Sequence, residues 1–281
     1  MATFSSYDGT EISYRTLGSG PPLLVVPGGP RASAYLEDLG GLDRHRTLVL
    51  FDARGTGASP APAEPATYAY PRLAEDVEAL RAHLGHEQLD VLGHSAGAVV
   101  AQAYAAAHAG RIRRLVLVAP GYQLYGLESP DTAQILAGRT DQPWYPQATA
   151  ALRKLSGLSP DASPSEVIAI LEEYAPAAYG HWGERQQAHL AQQPAQFSVT
   201  AWAGFWRSDV DVSALVDRLA KVTAPVAVLT GSRDALTGVA VGDFVANLFP
   251  AGRHVTIDGA GHYPWVDEPA AFATAVEEFL S

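Results

Sequence analysis

The chain has 281 residues, 47% of them hydrophobic and 17% charged, enough for one large core and ordinary for a folded globular protein. Its formal charge of −11 argues against nucleic acid and anionic membranes as partners, and its lack of cysteine excludes disulfides, thiolate chemistry and cysteine-ligated metals. Residues 1–8 lack the basic and apolar regions of a signal peptide, and no apolar run approaches the ~18 residues of a membrane span, so a cytoplasmic protein is expected.

Residues 3–7 and 11–17 read as strands flanking Asp8-Gly9, a tight-turn dipeptide. Short apolar runs follow at 22–26, 47–51, 89–92, 115–118, 226–230 and 254–257. Continuous runs of this kind suit strands buried on both faces, as in a parallel sheet. Helical patterns lie between them. Residues 72–84 place Leu73, Val77, Leu80 and Leu84 on one stripe behind Pro71, a helix-start signal. Residues 96–108 are small and alanine-rich, suited to close packing on a sheet, and 269–280 align Phe272, Val276 and Phe279. Strands alternating with helices predict a doubly wound α/β fold.

Residues 122–208 break this rhythm. They show helical patches such as 165–174, many prolines and no buried-strand pattern, and they hold Trp144, Trp182, Trp202 and Trp206. This segment is expected to be a helical cap over the strand ends. Residues 1–121 and 209–281 then form the core.

The sharpest motif is Gly93-His94-Ser95-Ala96-Gly97. A serine on a tight strand-to-helix turn has strained backbone angles and an exposed hydroxyl, and flanking glycines leave room for the turn. The helix behind it aims its N-terminus at the site, so the Ala96 N–H is a candidate oxyanion donor. The second candidate is the Gly29 N–H, in Pro27-Gly28-Gly29-Pro30 after the 22–26 strand. A nucleophilic serine needs a base, and the base needs an orienting acid. Asp234 is the candidate acid, just past the strand at 226–230, while the strand before it ends at Ala119-Pro120 without a carboxylate. His262 is the candidate base, in the glycine-rich Gly259-Ala260-Gly261-His262 after the strand at 254–257. His254 is a weaker candidate because it begins a strand. His94 adjoins the nucleophile and is expected to line or support the pocket.

These motifs, with Phe51-Asp52-Ala53-Arg54-Gly55-Thr56-Gly57-Ala58-Ser59, resemble the α/β-hydrolase superfamily over nearly the whole chain. Within it, GGP followed by DARGTGAS most resembles the proline iminopeptidase-like branch. The resemblance implies a mostly parallel eight-stranded sheet with helices on both faces and a helical cap. It maps the catalytic triad to Ser95, Asp234 and His262, and it makes the Asp52–Arg54 loop a structural brace. The branch's peptidases use cap glutamates among aromatics to bind a substrate's free amino terminus. The cap candidates here are Glu166, Glu172, Glu173 and Glu184, with Trp182, Glu184, Trp202 and Trp206 in the most suggestive settings.

The expected chemistry is acyl transfer without metal or organic cofactor. The expected substrate is a small, mostly apolar ester, lactone, amide or short peptide. A carbon–carbon-bond enzyme, lyase or cyclase on the same triad is a second reading. A ligand-binding receptor that keeps the fold is a third.

Overall fold

The computed structural model describes residues 1–157, 163–207 and 210–281. Eight strands form one sheet: β1 (Ala2–Ser5), β2 (Glu11–Leu17), β3 (Pro22–Val26), β4 (Thr47–Phe51), β5 (Leu89–His94), β6 (Ile112–Val118), β7 (Val226–Gly231) and β8 (Gly252–Ile257). Their spatial order is β1-β2-β4-β3-β5-β6-β7-β8. Only the β1–β2 and β2–β4 pairs are antiparallel. From β4 to β8 every neighbour is parallel, so these strands all finish at one edge.

Alternation along the strands divides the core between two faces. Leu24, Val26, Val91, Leu115, Leu117 and Val228 face one way. They meet α1 (Tyr70–His83), α2 (Ala96–Ala107), α8 (Val212–Leu219) and α9 (Ala240–Ala246). Leu23, Val25, Leu92, Val116 and Leu229 face the other way, against α10 (Pro264–Asp267) and α11 (Pro269–Leu280). Side chains buried on both faces explain why these strands read as unbroken apolar runs.

Two strands start two or more residues earlier than expected. β6 begins at Ile112 and β8 at Gly252. Both extensions carry polar residues at the sheet margin. Arg113 anchors the first by a two-pronged pair to the fully buried Asp90, at 2.9 and 2.6 Å.

Between β6 and β7 the chain leaves the sheet. It forms α3 (Thr132–Ala137), α4 (Tyr145–Ser156), α5 (Pro164–Tyr174), α6 (Glu184–Gln192) and α7 (Val199–Phe205). Leu136, Trp144, Ala148, Ile170 and Tyr174 build a separate small core, which also takes in Ala235. Tyr122 and Leu124 still belong to the sheet's own core, and α8 returns to it through Leu215 and Leu219. The expected boundary between Ser208 and Asp209 lies outside the described residues.

The 52–59 loop is fixed by buried charges. Asp52 accepts from the Ser33 N–H (2.8 Å) and hydroxyl (2.9 Å), and from the Ala58 N–H (3.0 Å). Arg54 is fully buried and pairs with Asp76 on α1 and with Asp8 at the β1–β2 turn. Ser6 donates to Asp76 as well. Removing one partner of such a pair leaves an uncompensated buried charge. Arg54→Met is therefore expected to destabilise the fold by about 3–5 kcal/mol. Urea denaturation reads this out, and an unchanged midpoint would contradict the assignment.

Candidate active site

Ser95 sits between the end of β5 and the start of α2 with φ 54° and ψ −120°. A non-glycine residue adopts such angles only when its surroundings hold it there. The surroundings are tight. A Cβ on Gly93 would lie 2.5 Å from the Gly97 carbonyl oxygen, and one on Gly97 would lie 2.2 Å from the Val26 carbonyl oxygen. Both glycines are thus dictated by packing between α2, β5 and β3. The Ser95 N–H is tied to the Val118 carbonyl at 2.9 Å.

His262 and Asp234 meet at the ends of β8 and β7. Asp234 Oδ2 lies 2.9 Å from His262 Nδ1. The rest of the carboxylate is satisfied. Oδ1 accepts from the Leu236 and Thr237 N–H groups at 2.8 and 3.0 Å, and Oδ2 accepts from the Thr237 hydroxyl at 2.5 Å. Burial opposes ionisation of Asp234, but the facing imidazole and these hydrogen bonds outweigh it and hold the carboxyl below its usual range. The neighbouring Ala235 carbonyl accepts from Tyr174 on α5 at 2.8 Å, so the helical segment clamps the acid loop. The base loop is clamped too: the His262 N–H donates to Ala178 at 2.6 Å, and a Cβ on Gly261 would lie 2.4 Å from that same carbonyl oxygen.

Ser95 and His262 line one cavity of about 190 Å³ with Gly28 and Gly29. Among the described residues the Ser95 hydroxyl has no hydrogen-bond partner, and it shares this cavity with His262. Catalytic hydrogen bonds commonly tighten only when substrate is bound. The Gly28 N–H is committed to the Tyr35 hydroxyl at 2.7 Å, which leaves Gly29 as the uncommitted amide of that turn. Ala96 is the first residue of α2, where amides lack intrahelical partners.

His94 lines the cavity and also has a structural task that its bonds define. The Tyr35 oxygen accepts from Gly28, and its single proton goes to His94 Nδ1 at 2.9 Å. The other ring nitrogen, Nε2, lies 2.9 Å from the His262 carbonyl, which can only accept. His94 is therefore the neutral tautomer protonated at Nε2. A relay of Gly28, Tyr35, His94 and His262 thus joins the Gly28-Gly29 turn to the base loop. No sequence pattern marks Tyr35 for this role.

The other candidates are placed as follows. Trp202 lines the Ser95 cavity and is 38% exposed. Trp182, Glu184 and Trp206 do not line it. Trp182 packs on Tyr179 with ring centroids 5.5 Å apart, beside a different cleft with Arg139 and Arg233. Glu184 is exposed in the first turn of α6, where a negative charge suits the helix N-terminus. Trp206 stacks edge-on to Phe205 and Tyr70 at the surface. Trp144 is buried with the Arg139 guanidinium 4.5 Å from its ring centre. The four tryptophans thus diverge: Trp144 and Trp182 lie in separate connections between helices, while Trp202 and its neighbour Trp206, the C-cap of the same helix α7, still reach different surroundings. His254 is bound to Thr230 and Asp243 and lies apart from Ser95. Arg31, Leu171, Phe197, Leu236 and Tyr263 complete much of the cavity wall. Of these only Arg31 carried a local signal, its place directly after PGGP.

A family model described as the alpha/beta hydrolase fold matches residues 21–269. The chain is 22% identical to a proline iminopeptidase of Heyndrickxia coagulans, over 99% of this chain and 98% of that one. It is 34% identical to a probable proline iminopeptidase of Streptomyces coelicolor, over 66% of this chain and 60% of the relative. Among solved structures it resembles the esterase RhEst1 from Rhodococcus sp. ECU1013, with TM-score 0.74, 27% identity, and 99% and 98% of the two chains covered.

Two histidines near the cavity are held neutral by burial. His94 is pushed well below 6.5, and His189, bonded to Tyr179 and the Tyr35 carbonyl, is pushed down to about 4. The unfolded chain takes up these protons near pH 6.5, whereas folded His189 refuses its proton until about pH 4. Stability is therefore expected to fall on acidification through this window. Urea midpoints at about pH 7.5 and about pH 5 test it, with His189→Gln expected to reduce the drop. Equal midpoints for the wild type would contradict neutral burial.

Proposed function

We propose that this chain, which belongs to the alpha/beta hydrolase fold family, is a serine hydrolase in which Ser95, His262 and Asp234 carry out acyl transfer. The observation that carries the reading is the buried Asp234–His262 pair at 2.9 Å, facing the same cavity as a serine on a strained strand-to-helix turn. His262 Nε2 takes the Ser95 proton as Ser95 Oγ bonds to the substrate carbonyl carbon. The ionised Asp234 holds His262 Nδ1–H and stabilises the imidazolium. The Gly29 and Ala96 N–H groups receive the oxyanion, each donor typically worth ~3 kcal/mol. His262 then protonates the leaving oxygen, and a water deprotonated by His262 releases the acid. Residues 122–208 serve as the cap that shapes the substrate side of the cavity.

An ester or lactone fits this site better than a free amino-terminal peptide. The cavity wall around Ser95 is mostly apolar and holds no carboxylate among its described residues. An N-terminal ammonium brought there would lack a counter-charge and lose its hydration. Glu172 lies by the adjoining compartment and is exposed, while Glu173 is engaged by Lys154.

A fluorophosphonate probe is expected to label the wild type and not Ser95→Ala. Asp234→Asn is expected to lower kcat about 10⁴-fold by releasing the imidazole tautomer. Short acyl nitrophenyl esters should be turned over well and proline naphthylamide poorly. Absence of labelling in folded protein would overturn the nucleophile. Preference for the naphthylamide would overturn the ester reading, and labelling without turnover of either would favour another reaction on the same triad.

A further inference from the structure

The wall of the Ser95 cavity contains one permanently charged group among its described residues, the guanidinium of Arg31. Arg31 is half-buried, and no carboxylate pairs with it among the described residues. A guanidinium kept beside a nucleophile without a counter-ion is costly in a mostly apolar cavity unless something offsets it. The protein invests several contacts in placing it. The backbone at Arg31 bridges to Phe197, the Ala32 N–H donates to the Gln196 carbonyl at 2.9 Å, and the Ser198 N–H donates to Pro30 at 3.3 Å. The guanidinium carbon lies 5.1 Å from the Tyr35 ring centre and 5.7 Å from that of Phe197.

One nitrogen, Nη1, donates to Gln193 Oε1. Gln193 is itself buried and locked. Its Nε2 reaches Tyr179 Oη at 3.0 Å and His189 Nδ1 at 3.1 Å, and its Oε1 also accepts from Tyr263 at 3.1 Å. Gln193 therefore steers the fork without neutralising it, because an amide oxygen carries no formal charge. Nε and Nη2 make no protein hydrogen bond among the described residues, so donors remain for a ligand. Arg31 is two residues beyond Gly29 and lines both the Ser95 cavity and the adjoining compartment of about 120 Å³. A group bound to it would sit within one small molecule's reach of the reacting carbonyl.

We propose that Arg31 makes this a site for anionic acyl substrates: small esters or lactones that carry a free carboxylate, which the guanidinium receives while Ser95 attacks the ester carbonyl. The inference rests on the hydrolase reading and adds the substrate's charge to it. The fork offers planar, paired donors that match a carboxylate, and the rings of Tyr35 and Phe197 lie within cation–π distance of it.

The test compares mono-p-nitrophenyl glutarate with its methyl-capped neutral analogue, p-nitrophenyl methyl glutarate. The wild type is expected to favour the anion in kcat/KM by about 10- to 100-fold, the range of a charge-assisted hydrogen bond pair. Arg31→Gln is expected to bring the ratio close to one, and Arg31→Lys, which keeps the charge but not the fork, to restore part of it. Binding is measured separately by calorimetry on Ser95→Ala, which removes the proposed nucleophile. That variant should bind monomethyl glutarate, the anion without the nitrophenyl group, more tightly than dimethyl glutarate, and Ser95→Ala/Arg31→Gln should not. Equal rates and equal binding for the two charge states, or a preference that survives Arg31→Gln, would overturn the inference. Anion-selective binding lost with Arg31, combined with no fluorophosphonate labelling of Ser95, would uphold it while overturning the nucleophile.

Discussion

The backbone of Ser95 is the constraint on which the candidate site depends. Its φ of 54° and ψ of −120° cost of the order of 1–3 kcal/mol and persist only in an over-determined setting. That setting is the contact of α2 with β5 and β3 through Gly93 and Gly97, where no side chain fits. The same contact starts α2 directly behind the serine, where the first amides lack intrahelical partners. The candidate nucleophile, one candidate oxyanion donor and the packing of a central helix are therefore one geometric solution. A change that relaxes the turn would loosen all three.

Parallel pairing then delivers the partners. Because β3, β5, β7 and β8 run the same way, Gly29, Ser95, Asp234 and His262 all follow strand ends at one edge of the sheet. Strand ends alone leave loops free to wander. The loops are held by buried contacts from the inserted helices, Tyr174 on the acid loop and Ala178 on the base loop. The relay from Gly28 through Tyr35 and His94 to the His262 carbonyl ties the two sides of the cavity together. The inserted segment is thus part of the support of the candidate acid and base loops.

The electrostatics divide by location. His94 and His189 are kept neutral by burial, and Asp234 is kept charged by the facing imidazole and its hydrogen-bond donors. At the wall a single arginine stays charged and carries no acidic partner among the described residues. Relatives that are proline iminopeptidases and a structural neighbour that is an esterase share this fold, so the fold does not select the substrate.

The sequence by itself determined the sheet, the serine turn and the order of the candidate residues. Buried strands need continuous apolar runs, and a strained serine turn needs glycines at fixed offsets, so both are local patterns. Asp234 and His262 were legible because each follows such a run. The insertion was legible only as helical and tryptophan-rich. Trp182 and Glu184 face elsewhere, because short helices joined by turns can aim neighbouring residues in any direction, and Trp206, at the end of the helix that carries Trp202, packs on Tyr70 and Phe205 instead. Arg31 and Tyr35 lie close together in sequence, but Gln193 is 162 residues beyond Arg31, and no periodicity links it to them. Their roles exist only once residues 30–32 lie against 196–198. Local spacing encodes the strained serine turn, and long-range packing alone decides what surrounds it.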